Sequence, residues 1–341
     1  MLLPRSRGPV TAALVSALRR PPGAAETRAD TPAHSYADTC SAEDLQLGLW
    51  ICYELHYRGF DDAAPGWEWA PELLTVRAAL EARFARELAT TVSAPPVDDR
   101  PIAAQLADLV DADDGPSLSR YLQSQATRGQ FEEFVEHRSV YHLKEADAHS
   151  WAIPRLAGRA KAALVEIQSD EYGNGAVTRM HSELFRTTMR HLGLDDTYGR
   201  YVDRAPAETL AHSNLISFFG LHRERRGALV GHLAAFEMTS SLPNRRYSRG
   251  LGRVGGSNEA RRFYDEHVTA DALHEQLAAH DLCGALVAQE PALAADVLFG
   301  AACALHMDNC FSRRLLSCWR DGRTSLLEST PVDDQLMSLA F

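Results

Sequence analysis

The spacing of apolar residues along the chain is that of amphipathic helices almost throughout. Leu45, Leu49 and Cys52 recur at intervals of four and three, and segment 71–90 repeats the pattern with charged residues on its other face. Ser41, just before the first of these runs, is a residue type that favours a helix start. Alternation with a period of two beside turn residues is hardly found anywhere, so the βαβ and β-sandwich classes are poor fits. The pattern predicts an all-α protein.

Turn residues divide this helical pattern into parts. Prolines near residues 95–101 and the acidic turn 111–116 separate a smaller helical portion from a larger one. Helices in the larger portion are predicted at 118–126, 130–146, 155–170, 178–192, 206–225, 228–240, 258–283, 291–304 and 305–320. The predicted organisation is a flexible tail (1–40), an N-terminal helical subdomain (41–116), a main helical domain (117–325) and a C-terminal tail (326–341).

Composition and charge argue against binding to nucleic acid and against insertion into a membrane. The 341 residues carry a formal net charge of -11, which argues against binding nucleic acid, because such binding depends on cationic side chains that neutralise phosphates. No apolar run approaches the roughly 18 residues that span a bilayer. The short apolar run 10–18 could pass for a weak signal peptide, but an Arg pair and a Pro pair follow it directly. We therefore predict a cytoplasmic enzyme that is not integral to a membrane.

The strongest chemical signal is a helical run with two histidines and a carboxylate. His267, Asp271 and His274 occupy positions i, i+4 and i+7, which places the three side chains within an arc of about 60°. Imidazole and carboxylate together suit iron, manganese or zinc, and the absence of Cys favours an iron site that handles O2. The alternative is a solvated helix face that happens to carry histidines.

Two further carboxylates stand where helices should be apolar or should end. Glu237 follows the apolar run 233–236, and a lone carboxylate there is costly to bury unless it is paired or binds a metal. Glu171 precedes the glycine-rich break 173–175, and His181 comes ten residues later on the next helix. The break allows Glu171 and His181 to approach the same pocket.

These residues resemble the ligand pattern of the haem-oxygenase-like di-iron oxidases and oxygenases, a family of iron-containing redox enzymes. The resemblance spans roughly residues 117–325 and implies a bundle of about seven helices behind an N-terminal helical extension. It also implies two non-haem iron ions, with O2 as co-substrate and no catalytic residue beyond the metal ligands. The ligands it implies are Glu171, His181, Glu237, His267, Asp271 and His274.

The ten-residue separation of Glu171 and His181 resembles the N-oxygenating branch of that family. This implies N-oxygenation of an amino acid or amine, with Glu145 as a further ligand and Asp147 and Glu166 as nearby alternatives. Four carboxylates would balance two ferrous ions, so the cluster could be buried. Oxidative C–C cleavage of an amino or fatty acid stays open, as does a non-catalytic iron-binding helical protein.

The sequence says less about the substrate and the partners than about the metal ligands. Arg245 and Arg246 follow the Glu237 helix and could hold a substrate carboxylate, the alternative being a solvated turn. The expected partners are a small-molecule substrate, an unidentified electron donor and a second copy in a possible homodimer, with no nucleic acid and no membrane.

Overall fold

The computed structural model describes residues 1–23 and 37–328, with the backbone alone for residues 269–272. Across these residues the chain forms thirteen α-helices and no β-strand, which confirms the predicted all-α class. None of the helices described combines the length and the apolar character that a bilayer crossing requires.

The helices fall into a smaller N-terminal set and a larger set that holds the site. The N-terminal set is α1 (Pro9–Leu18), α2 (Ala42–Glu54), α3 (Pro71–Thr91) and α4 (Ile102–Asp111). The larger set is α5 (Leu118–Ser124), α6 (Arg128–His142), α7 (Gly158–Glu171), α8 (His181–Leu192), α9 (Ala207–Leu221), α10 (Arg226–Arg253), α11 (Asn258–Gln276), α12 (Ala285–Gln289) and α13 (Ala294–Arg320). A π-helix (Leu277–Gly284) joins α11 to α12. Seven helices of the larger set have at least twelve residues, in agreement with the predicted bundle.

The N-terminal residues differ from the flexible tail that the sequence analysis assigned to 1–40. Helix α1 buries Val10 and Leu18, and the Asp44 carboxylate accepts hydrogen bonds from the backbone N–H groups of Val10 and Thr11, both at 2.9 Å. These bonds satisfy donors that the first turn of a helix leaves free. The stabilising carboxylate stands more than thirty residues away, so the local pattern does not show it. Residues 24–36 lie outside the described part.

Arg7 ties this segment to the main bundle. Its guanidinium donates hydrogen bonds to the carbonyl oxygens of Val202 and Ala205 and to the Glu43 carboxylate, each at 2.7 Å. At the other end of the chain Leu326 is buried, so the first part of the predicted C-terminal tail 326–341 also packs on the bundle. Residues 329–341 lie outside the described part.

Helix α10 is longer than the sequence predicts. The predicted helix 228–240 was expected to give way to a turn at 242–247, but α10 continues through Pro243 to Arg253. A proline inside a helix removes one hydrogen bond and crowds the preceding turn. Packing against α11 and α13 along its length outweighs that cost here. In the same way α13 joins the two helices predicted at 291–304 and 305–320.

Helices α10 and α13 approach each other through glycine. A Cβ atom added to Gly231 would lie 1.9 Å from the carbonyl oxygen of Val297, and one added to Gly300 would lie 1.9 Å from that of Ala228. Real Cβ atoms do not approach an oxygen this closely, so both positions require glycine. The contact fixes the part of α10 from which Glu237 projects.

We expect Gly231→Ala to lower the free energy of unfolding by about 1–3 kcal/mol, because the added methyl group forces the two backbones apart. Urea denaturation followed by circular dichroism measures this change. Gly129→Ala is the matched control, since a Cβ at that helical position meets no atom within 4 Å. The control should be neutral or slightly stabilising, and equal stability of both variants would contradict the prediction.

Candidate metal centre

Metal-binding atoms of six residues converge in two groups at the centre of the bundle. Within each group, one donor atom from every residue lies within 4.8 Å of the others. The groups are Glu145, Glu171, His181 and His267 in the first and Glu171, Glu237 and His274 in the second. Glu171 belongs to both groups, so its carboxylate lies between them.

A tight break between α7 and α8 brings Glu171 and His181 together. Glu171 is the last residue of α7, and Gly173 follows with a φ of 64°. A Cβ on Gly173 would lie 2.6 Å from the backbone of Arg179 and Met180, so only glycine permits this close return of the chain. Helix α8 then begins at His181, whose Nδ1 atom lies 2.8 Å from Oε2 of Glu171.

A second break, after α6, brings Glu145 into the first group. The helix ends at His142, and Ala146 adopts a left-handed φ of 71°, which turns the chain back. Oε1 of Glu145 lies 2.8 Å from Nδ1 of His142 and 3.7 Å from Nε2 of His267. The two alternatives lie elsewhere, because Asp147 accepts a hydrogen bond from the Tyr172 hydroxyl at 2.9 Å and Glu166 is exposed.

Hydrogen bonds orient the two histidines of α11. Nδ1 of His267 lies 2.8 Å from the carbonyl oxygen of Phe263, to which it donates, so Nε2 is left to face the first group. Nε2 of His274 lies 3.1 Å from Asp170, while its Nδ1 lies 3.4 Å from Glu237. A carboxylate behind a histidine in this way fixes the ring and makes its other nitrogen a better ligand.

The donor atoms fit a bound metal. Oε2 of Glu145, Oε2 of Glu171, Nδ1 of His181 and Nδ1 of His274 are buried and make no aligned hydrogen bond within the described residues. Nδ1 of His181 lies 2.8 Å from Oε2 of Glu171, and Nδ1 of His274 lies 3.4 Å from Glu237, so the partners that these atoms have belong to the cluster itself. Since their lone pairs converge from different helices, metal cations are the partners that would satisfy them together. Imidazole and carboxylate donors suit iron.

The electrostatics of the site also favour cations. Burial alone would raise the pKa of Glu145, but His142 and His267 hold it well below its usual range. Burial alone would lower the pKa of His274, but attraction to Glu237, Glu171 and Asp170 raises it to about 9. Without metal, a proton on His274 therefore offsets part of the negative charge, and a metal ion would take its place.

A family model described as iron-containing redox enzyme matches residues 132–309, just over half of the chain. The protein belongs to the iron-containing redox enzyme family. Every candidate ligand falls inside the matched range, and the all-helical fold agrees with the haem-oxygenase-like architecture of the predicted family. As a member of it the protein is an oxidoreductase.

The chain is also similar to part of a characterised enzyme. The chain is 26% identical over 192 residues to the nitrosourea synthase of Streptomyces achromogenes subsp. streptozoticus. That alignment covers 50% of this chain and 40% of the relative, so this redox enzyme spans well under two thirds of the relative's length.

A cavity of about 620 Å³ connects the candidate metal centre of this redox enzyme with the surface. Glu145, Glu171, Glu237 and His267 line its inner end, and the exposed turn 113–117 lines its outer end. Aromatic rings form much of the wall between the two ends. They belong to Phe134, Tyr141, Phe236, Tyr247 and Tyr264. The cavity is large enough for a small organic molecule.

The remaining predicted site residues fall in different places. The backbone of Asp271 lies on α11 between the two candidate ligand histidines, and its side chain lies outside the described residues. Arg246 lines the cavity, whereas Arg245 is exposed and does not. Sequence reasoning missed His142 and Asp170 as partners of ligands. Each stands within three residues of a proposed ligand in the sequence, and this short separation is the signal that could have identified them.

Proposed function

We propose that the protein is a non-haem di-iron oxygenase or oxidase that uses O2 to oxidise a small organic molecule. The observation that carries this proposal is the pair of donor groups sharing Glu171, with four buried donor atoms that make no aligned hydrogen bond. Two ferrous ions bound there would supply electrons to O2.

The residues of this chain have defined roles in the proposal. Glu145, His181 and His267 would hold one ion, Glu237 and His274 the other, and Glu171 both. Asp271 is proposed as a ligand from its position on α11. With Asp271 the set carries four negative charges, which equal the charge of two ferrous ions. The aromatic wall of the cavity keeps the reacting molecule away from bulk water.

The substrate we favour is an amino acid or amine that is oxygenated on nitrogen. The similarity to a nitrosourea synthase supports this choice, since a nitrosourea contains oxidised nitrogen. Insertion of one oxygen atom from O2, with the other leaving as water, consumes two further electrons and two protons. We therefore also propose an external two-electron reductant as a partner. The predicted cytoplasmic location and homodimer stay predictions.

Metal loading and O2 uptake test the proposal. Anaerobic titration with Fe(II), followed by removal of free metal and elemental analysis, should give about two irons per chain. O2 consumption should require this iron and should rise with one class of substrate in a panel of amines, amino acids and fatty acids. One tightly bound ion alone, or iron that consumes O2 once without any organic product, would contradict it.

Product mass separates the two candidate reactions. N-oxygenation adds one oxygen atom to the substrate, whereas oxidative C–C cleavage shortens its carbon chain. Mass spectrometry of reactions run under ¹⁸O2 distinguishes them, and a shortened product would favour C–C cleavage.

A further inference from the structure

The outer end of the cavity carries two guanidinium groups without a carboxylate partner. Arg246 comes from α10 and Arg120 from α5, and both line the cavity. Across residues 1–23 and 37–328, neither forms an ion pair with an acidic side chain. Most of the other arginines in this part of the structure form an ion pair with an acidic side chain. For example, Nη2 of Arg138 lies 2.9 Å from Oδ1 of Asp308.

The acidic residues in the cavity wall do not neutralise this pair. Asp308 is engaged by Arg138, and Asp113 accepts a hydrogen bond from the Asn309 amide at 2.6 Å. Asp114 is exposed to solvent at the same turn. Burial, and after it the nearby charge of Arg120, lower the pKa of Arg246. An anion between the two guanidinium groups would offset their charges.

Two serine hydroxyls hold the Arg246 guanidinium in place. Its Nη1 atom lies 3.2 Å from Oγ of Ser119 and 3.4 Å from Oγ of Ser117. Ser119 is only 4% exposed, and like Arg246 it lines the cavity. A planar guanidinium held in one orientation binds a carboxylate through two parallel hydrogen bonds.

We propose that Arg246, assisted by Arg120, binds a carboxylate of the substrate at the outer end of the cavity. The substrate is then an acid whose other end reaches the metal ligands. This inference rests on the proposed function, because it takes the cavity to be the substrate site. It narrows the substrate class to acids and excludes simple amines.

The test compares acids with their primary amides, which have nearly the same shape but no charge. Isothermal titration calorimetry under argon is run on the Fe(II)-loaded full chain with the twenty L-amino acids, straight-chain fatty acids and the amide of each. At least one acid should bind about tenfold to a hundredfold more tightly than its amide, which is the effect of a charged hydrogen-bonded pair.

Variants locate the effect on one residue. Arg246→Met, which keeps an apolar stem, should abolish the preference for the acid and leave the affinity for the amide unchanged. Arg245→Met is the matched control, because Arg245 is the preceding residue and its guanidinium is exposed outside the cavity. The control should keep the preference.

Two results would overturn the proposal. In one, no acid binds more tightly than its amide; in the other, Arg246→Met weakens acid and amide equally. Neither depends on turnover, because the titration is run without O2. Failure of the proposed function would instead appear in the wild type as an absence of bound iron or of iron-dependent O2 uptake.

Discussion

Glu171→Ala is expected to lose both metal ions, whereas His274→Ala is expected to lose only one. Glu171 is the residue shared by the two donor groups, while His274 belongs to the second group alone. Anaerobic Fe(II) titration should therefore give a content near zero for the first variant and about one ion per chain for the second, against about two for the wild type.

Glu166→Ala is the matched control for this experiment. Glu166 lies on the same helix as Glu171, but its side chain is exposed and outside both groups. The control should bind iron as the wild type does, and circular dichroism should show equal helix content in all variants. Retention of both ions by Glu171→Ala would show that the carboxylate does not bridge the two sites, and loss of both ions by His274→Ala would show that the second ion is not held independently of the first.

Glu54→Ala is expected to lower the free energy of unfolding by about 3–5 kcal/mol, because it leaves a buried ammonium group without its counter-charge. Oε2 of Glu54 lies 3.1 Å from Nζ of Lys144, and their side chains are 0% and 4% exposed. The same oxygen accepts a hydrogen bond from the Tyr198 hydroxyl at 2.8 Å. Since Lys144 precedes Glu145, the ion pair also anchors the turn that carries this candidate ligand.

Two comparisons separate burial from charge in that experiment. Glu132→Ala removes one partner of the exposed pair formed with Arg128 and should cost below about 0.5 kcal/mol. The double variant Glu54→Leu with Lys144→Met removes both buried charges and should recover most of the lost stability. Urea denaturation measures all three. A loss below about 1 kcal/mol in Glu54→Ala would mean that water or another group solvates Lys144.

Local spacing was sufficient to predict the all-helical class, most of the helices and several candidate ligands. His267 and His274 share a helix face, and Glu237 interrupts an apolar run, so each is visible without knowledge of the fold. The position of Glu145 was harder to predict. Its return to the cluster depends on a left-handed Ala146, a conformation that an alanine rarely adopts and that no local pattern signals.

The misassigned segments depend on contacts between distant parts of the chain. Helix α1 packs because Asp44 supplies its hydrogen-bond acceptor, and α10 passes Pro243 because neighbouring helices hold both of its halves. The continuation of α10 also explains the difference between Arg245 and Arg246. Consecutive helical residues point about 100° apart, so only one of the two faces the cavity.

The bonds made by Arg7 have a consequence for synthesis on the ribosome. Its nearer carbonyl partner, Val202, stands 195 residues further along the chain. At roughly 5–20 residues per second, about 10–40 s separate the two during translation. Asp44 is synthesised within seconds of α1, so α1 and α2 can pack together before the bonds of Arg7 to Val202 and Ala205 form. A nascent chain stalled before residue 202 would hold α1 through Asp44 and the buried Val10 and Leu18, but it would lack the bonds of Arg7 to the main bundle.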